Sequence, residues 1–230
     1  LIDGEEWHAI GVGFKSVEAM WVDATGNIHV VDPSNTDHNL TVLSPDGAVL
    51  RGSRITLEPG LRLATRNGRF VYSLLPGQKT LRLHDVEQNT SRDLALPVAQ
   101  PSGLTFTPDE GTLVVGDAAG KHLWAFRVEK DGSLTCAEPY YPLRIRPGET
   151  ASGVTALTVD ADGRLYACTP VGIQMFDPTG RLSGVLLNPS PRTPTAIAFA
   201  GPERDVLVVS CGDSVYGRRL KARGVALTRR

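Results

Sequence analysis

The chain reads as an all-β protein, a β-propeller built from four-stranded antiparallel blades, and three observations lead there. First, 24 Gly and 16 Pro among 230 residues punctuate short β-rich runs, and no stretch carries a helix-period apolar face. Second, one unit recurs: an apolar strand, a D-x-x-G-like hairpin turn, then a second strand ending in a small or acidic residue. Third, turn positions 26, 68, 111, 163 and 205 are separated by 42, 43, 52 and 42 residues. A β-sandwich has no reason to repeat one motif at nearly constant spacing, whereas two hairpins per forty-odd residues make one propeller blade.

Each blade can be justified in order. The first unit, residues 20–32, places Ala24-Thr25-Gly26 between Met20-Trp21-Val22-Asp23 and Ile28-His29-Val30-Val31-Asp32. The second, 63–73, turns at Asn67-Gly68, a strong two-residue hairpin signal. The third, 104–117, turns at Pro108-Asp109-Glu110-Gly111, and the fourth, 157–168, at Ala161-Asp162-Gly163. The fifth, 197–210, has Asp205 where the turn glycine would stand. Second hairpins follow at Pro45-Asp46-Gly47, Lys130-Asp131-Gly132 and Pro178-Thr179-Gly180. Five blades are therefore expected over roughly 15–56, 57–98, 99–147, 150–190 and 192–225, with a strand in 5–14 closing the ring on the last blade. Five blades have about 46 residues each and six would have about 38, so five is favoured and six is the alternative.

Composition excludes several functions. The 24 basic and 25 acidic side chains nearly cancel, which gives no electrostatic reason for a nucleic-acid or anionic-membrane partner. No apolar run approaches the roughly 18 residues of a membrane helix. The first residue is Leu1 and no basic-then-apolar leader follows, so the chain reads as a mature or excised form and the compartment stays open: periplasmic, secreted or cytoplasmic. Cys136, Cys168 and Cys211 are too far apart for a zinc pattern; Cys168 and Cys211 end strand-like runs and read as small buried side chains.

Smaller signals read as structural. The acidic span Asp32–Asn39 lacks the glycine and distal glutamate of a calcium loop and reads as an inter-strand connection. Gly212-Asp213-Ser214 reads as a turn, Trp21 and Trp124 as blade packing, and the basic tail (Arg218, Arg219, Lys221, Arg223, Arg229, Arg230) as charge that keeps an edge strand from pairing.

In a propeller the innermost strands begin beside the central channel, so equivalent starting positions form a ring. Counted back from each turn, that ring is Glu18, Gly60, Ser102, Thr155 and Thr195. Only Glu18 is ionisable, and one carboxylate among uncharged neighbours is a poor calcium cage.

The repeats resemble the senescence marker protein/regucalcin/gluconolactonase family across essentially the whole chain. Val17-Glu18-Ala19-Met20 corresponds to that family's E-G-P-like start, and Ser102-Gly103-Leu104-Thr105-Phe106-Thr107-Pro108-Asp109 to its N-G-L-x-x-S-P-D segment. Residues 153–166 resemble its x-x-D-G-M-x-V-D-x-x-G-x-L-Y segment, and Pro194-Thr195-Ala196-Ile197-Ala198-Phe199-Ala200-Gly201-Pro202 its P-T-N-x-x-F-G-G-P. The tail from Cys211 to Arg219 also fits, especially bacterial members attached to larger secreted proteins. The resemblance implies a propeller of six blades whose second is missing here. It further implies hydrolysis of lactones around one divalent cation (Ca²⁺, Zn²⁺ or Mn²⁺) held by Glu, Asn and Asp, with a further Asn at the substrate. Carried over, Glu18 remains as a metal-ligand remnant, while Ser102, Thr155 and Gly60 stand where Asn, Asp and the substrate Asn are implied. No catalytic residue is therefore assigned. The expectation is a degenerate gluconolactonase-like propeller that binds a small carbohydrate or lactone, with little or no hydrolysis. The alternatives are a metal-dependent lactonase with a rearranged site and a structural or protein-docking propeller.

Overall fold

The computed structural model describes residues 2–55, 62–75 and 77–226. After β1 (His8–Val12), blade one comprises β2 (Ala19–Val22), β3 (Ile28–Val31), β4 (Leu40–Leu43) and β5 (Val49–Ser53). Blade two is β6 (Arg62–Arg66), β7 (Phe70–Leu74), β8 (Thr80–Asp85) and β9 (Thr90–Ala95). Blade three is β10 (Pro101–Phe106), β11 (Thr112–Asp117), β12 (His122–Val128) and β13 (Leu134–Pro142). Blade four is β14 (Ala156–Val159), β15 (Leu165–Thr169), β16 (Gly172–Phe176) and β17 (Leu182–Leu186). Blade five is β18 (Ala196–Ala200), β19 (Val206–Cys211) and β20 (Ser214–Arg219), with β1 as its outer strand in the order β1-β20-β19-β18. The described residues thus form five four-stranded antiparallel sheets and no helix.

The hairpins follow from the Asp–Gly chemistry of the repeat. Asp23 accepts backbone N–H bonds from Thr25 (2.9 Å) and Asn27 (3.1 Å), and Asp160 repeats this with Asp162 (3.0 Å) and Arg164 (2.8 Å). Asp177 does the same in a second hairpin, with Thr179 (2.9 Å) and Arg181 (3.1 Å). The carboxylate thus satisfies turn donors that the ladder cannot reach. At Gly26 both conformation and space demand glycine. Its φ is +92°, and a Cβ there would lie 2.3 Å from the Gly201 carbonyl carbon, where Gly201 N donates to Gly26 O across blades five and one. In the fifth hairpin the left-handed residues are Gly201 (φ +87°) and Arg204 (φ 55°), not Asp205, because that turn begins earlier than the repeat spacing implies.

The core lies between blades, not within one layer. Buried apolar clusters join blades two and three (Phe70, Tyr72, Leu104, Leu113), three and four (Leu123, Tyr141, Leu157, Phe176), four and five (Tyr166, Ile173, Phe199, Leu207) and five and one (Ile28, Leu43, Val206, Val215). Correspondingly, β6 packs on β10, β10 on β14, β14 on β18, and β18 on β2. Among the described residues no comparable cluster or strand contact joins blades one and two. The ring therefore carries a seam between β2 and β6.

β1 covers β20 over Ser214–Gly217, so Arg218 and Arg219 lie past the paired stretch; Arg219 pairs with Asp205 (3.4 Å) and Arg223, beyond the strand, with Glu203 (3.1 Å). Arg229 and Arg230 lie outside the described residues. Trp124 packs between blades two and three, but Trp21 is 40% exposed and stacks on His29 with ring centroids 5.0 Å apart.

Candidate functional site

The five innermost strands surround a channel that can be described level by level from where they begin. Glu18, Thr155 and Thr195 occupy the same place in their blades: each backbone N–H donates to the carbonyl at the end of the second strand, Val31, Cys168 and Ser210 respectively (3.0, 3.1 and 2.9 Å). Ser102 lies in the irregular start of the β10–β11 ladder, and its hydroxyl is buried without a hydrogen-bond partner. Gly60 lies outside the described residues. Of the expected ring, the structure thus brings Ser102, Thr155 and Thr195 to one cavity of about 390 Å³. Glu18 and Thr195 border a second, of about 610 Å³, that reaches into the channel and the seam.

Both cavities share a residue that counting from the turns overlooked. Arg62 opens β6, and its guanidinium crosses the channel to donate to the carbonyl of Glu18 (2.9 Å) and, more weakly, to that of Thr195 (3.4 Å). Burial lowers its pKa, and the Glu18 carboxylate opposes that shift by attraction. The last ladder pairs explain why the side chain fits: Ala19↔Val31, Arg62↔Leu74, Ala156↔Cys168 and Ala196↔Ser210. Where three blades place alanine, and blade three Gly103, blade two places arginine; all five residues line the larger cavity. The sequence signal was present as one long basic residue at a position otherwise filled by Ala or Gly.

The next level is apolar. Met20, Leu63, Leu104, Leu157 and Ile197, one from each blade, form a girdle below Arg62. The girdle also borders a wider opening of about 880 Å³ at the hairpin end.

The hydroxyls of the ring are largely engaged. Thr155 Oγ1 donates to the Pro194 carbonyl (2.5 Å), and Thr195 Oγ1 donates to the Val17 carbonyl (2.9 Å) and shares a bond with Ser210 Oγ (2.9 Å). The residues present do not fit the divalent cation that the family resemblance implies. Among the described residues Glu18 is the one carboxylate on the ring, the guanidinium of Arg62 stands beside it, and two hydroxyl oxygens bind protein carbonyls. Among the described residues no three His, Cys, Asp or Glu side chains converge on a point that could hold a metal. A cation placed there would face an arginine, with too few anionic oxygens to replace its hydration shell.

The remaining sequence signals are structural. Asp32 is buried and accepts from Lys15 N (2.7 Å), Ser34 N (3.1 Å) and Ser34 Oγ (2.7 Å), so its loop is an internal brace. Burial pushes the Cys168 thiol up, and Cys211 Sγ donates to the Arg192 carbonyl (2.9 Å); neither is disposed for chemistry.

Comparison with known proteins agrees with this frame. Residues 73–212 match the family described as SMP-30/Gluconolactonase/LRE-like region. A gluconolactonase of Zymomonas mobilis is 28% identical over 219 residues, which is 93% of this chain and 53% of the relative, so the chain spans about half the length of that curated protein. Among solved structures, one of a putative gluconolactonase superposes with a TM-score of 0.75 at 18% identity, covering 97% of this chain and 95% of the other. A calcium-binding protein, regucalcin, from Agrobacterium tumefaciens superposes with a TM-score of 0.64 at 13% identity, covering 95% and 98%.

Proposed function

The chain belongs to the SMP-30/gluconolactonase/LRE-like family, and on that premise we propose that it binds a small lactone or carbohydrate in its channel with little or no hydrolysis. The observation that carries this reading is Arg62, whose guanidinium lies against Glu18 O and Thr195 O on the ring where the family resemblance implies a cation. A guanidinium can hold a ligand carbonyl or hydroxyl by hydrogen bonding, but it carries no water whose pKa it could lower. Thr155 and Thr195 cannot replace the implied acid–base groups, since neither titrates near neutral pH. Binding and orientation are what these residues supply.

A second reading is a divalent-metal-dependent sugar-lactone hydrolase with a rearranged site, favoured by the 28% identity to a gluconolactonase over 93% of the chain. Hydrolysis of glucono-δ-lactone, followed with added Ca²⁺, Zn²⁺ or Mn²⁺ and again with EDTA, separates the two. The binding reading expects rates at the uncatalysed background under every condition. Metal-dependent turnover abolished by Glu18→Gln would establish the hydrolase instead.

A further inference from the structure

The cavity of about 610 Å³ differs at its two ends, and we infer from this that the channel selects a neutral lactone carrying an alkyl chain over a polyhydroxylated sugar lactone. The inference rests on the binding reading above and specifies its ligand class. At the polar end stand Glu18 and Arg62, a pair of opposite charge that gives the site no net preference for an anion or a cation. Arg62 is a donor suited to a carbonyl oxygen.

Below it, the body of any ligand meets the five aliphatic side chains of the girdle. On the seam side, Val31, Pro33 and Ile55 line the same wall, and among the described residues no strand packs between β2 and β6. Among the described residues Asn39 is the one amide on that wall, and its side chain is already engaged, accepting from Ile55 N and donating to Ile55 O (both 2.8 Å). Ring hydroxyls of a sugar would therefore be desolvated against methyl groups with no partner to replace water, whereas methylenes would gain contact there. The cavity, about 610 Å³, falls within the usual range of small-molecule sites. Trp21 borders it and is partly exposed, so it reports on occupancy.

The test is a titration of the purified chain with δ-decalactone, decanoate and glucono-δ-lactone, read by calorimetry and by tryptophan fluorescence, with Trp21→Phe to assign the optical signal. The expected result is saturable binding of δ-decalactone, with weaker or undetectable binding of the other two. Leu63→Gln should weaken it about tenfold. Leu63 is 53% exposed, so this variant should keep the wild-type melting temperature. Ala19→Leu, which narrows the level of Arg62, should weaken binding by an independent route. Equal or tighter binding of glucono-δ-lactone, equal binding of decanoate, or no effect of Leu63→Gln in a folded variant would each overturn the inference. Metal-dependent hydrolysis of δ-decalactone with the same ligand order would instead leave the ligand class standing and remove the binding-only reading.

Discussion

Arg62 is the residue on which the site turns. Its guanidinium donates to two backbone carbonyls, so Arg62→Ala leaves Glu18 O and Thr195 O without those donors inside the channel. We expect a loss of about 1–3 kcal/mol in urea denaturation, with Arg62→Lys recovering part of it because an ammonium makes one point contact in place of a fork. Asp23 supports a pH prediction. Burial raises its pKa, but hydrogen bonds from Thr25, His29 and the turn amides outweigh that and hold the carboxyl well below the usual carboxylate range. A depressed folded-state pKa gives stability that is present above the ordinary value of about 3.9 and lost as pH falls through the folded one. Melting temperature measured from pH 7 down to acid should therefore drop less steeply for Asp23→Asn than for wild type. Glu18 was legible in the sequence because the hairpin spacing is regular in the first blade. Arg62 was not, because counting from the turns traced the level of Glu18, whereas the ladder places Arg62 one residue further along, level with Ala19, and the tight Asn67-Gly68 turn moved the count in blade two to Gly60.

At the scale of strands and hairpins, most of the molecule could be read from Asp and Gly at turn positions and alternation between them. The fifth hairpin and the role of β20 could not. One depends on Arg204 taking a left-handed conformation while its side chain donates to the carbonyls of Phe199 and Asp23, and the other on a partner strand more than two hundred residues away in sequence. Two substitutions test how the elements join. Tyr72 is fully buried, its hydroxyl donates to the Gly132 carbonyl (2.7 Å) across blades two and three, and burial pushes its pKa up to about 12. Tyr72→Phe should cost about 1–2 kcal/mol by chemical denaturation, since it strands a buried acceptor while leaving the ring contact with Phe106 in place. Gly26→Ala should cost more than Gly163→Ala. Both need positive φ, but only at Gly26 would the added methyl strike backbone; at Gly163 the nearest atom, on the Pro178 ring, is 3.5 Å away.

Among the described residues, the five blades are joined by four buried apolar clusters, and none of these links blades one and two. The repeat spacing in the sequence carried the blade count, whereas the uneven strength of the junctions was invisible there, because inter-blade packing depends on which strand faces meet. Among the described residues, the junction without a shared apolar cluster lies between blades one and two, and Arg62 reaches from blade two to Glu18 O in blade one. Arg62 and the apolar girdle stand in the channel where the family resemblance implies a metal centre, and the proposed function turns on that difference. Equilibrium titration of the metal-stripped chain with Ca²⁺, Zn²⁺ and Mn²⁺, followed by calorimetry and by metal content after dialysis, tests this most directly. The account predicts no stoichiometric ion in wild type and unchanged lactone binding in EDTA; one tightly held ion per chain, lost in Glu18→Gln, would contradict it.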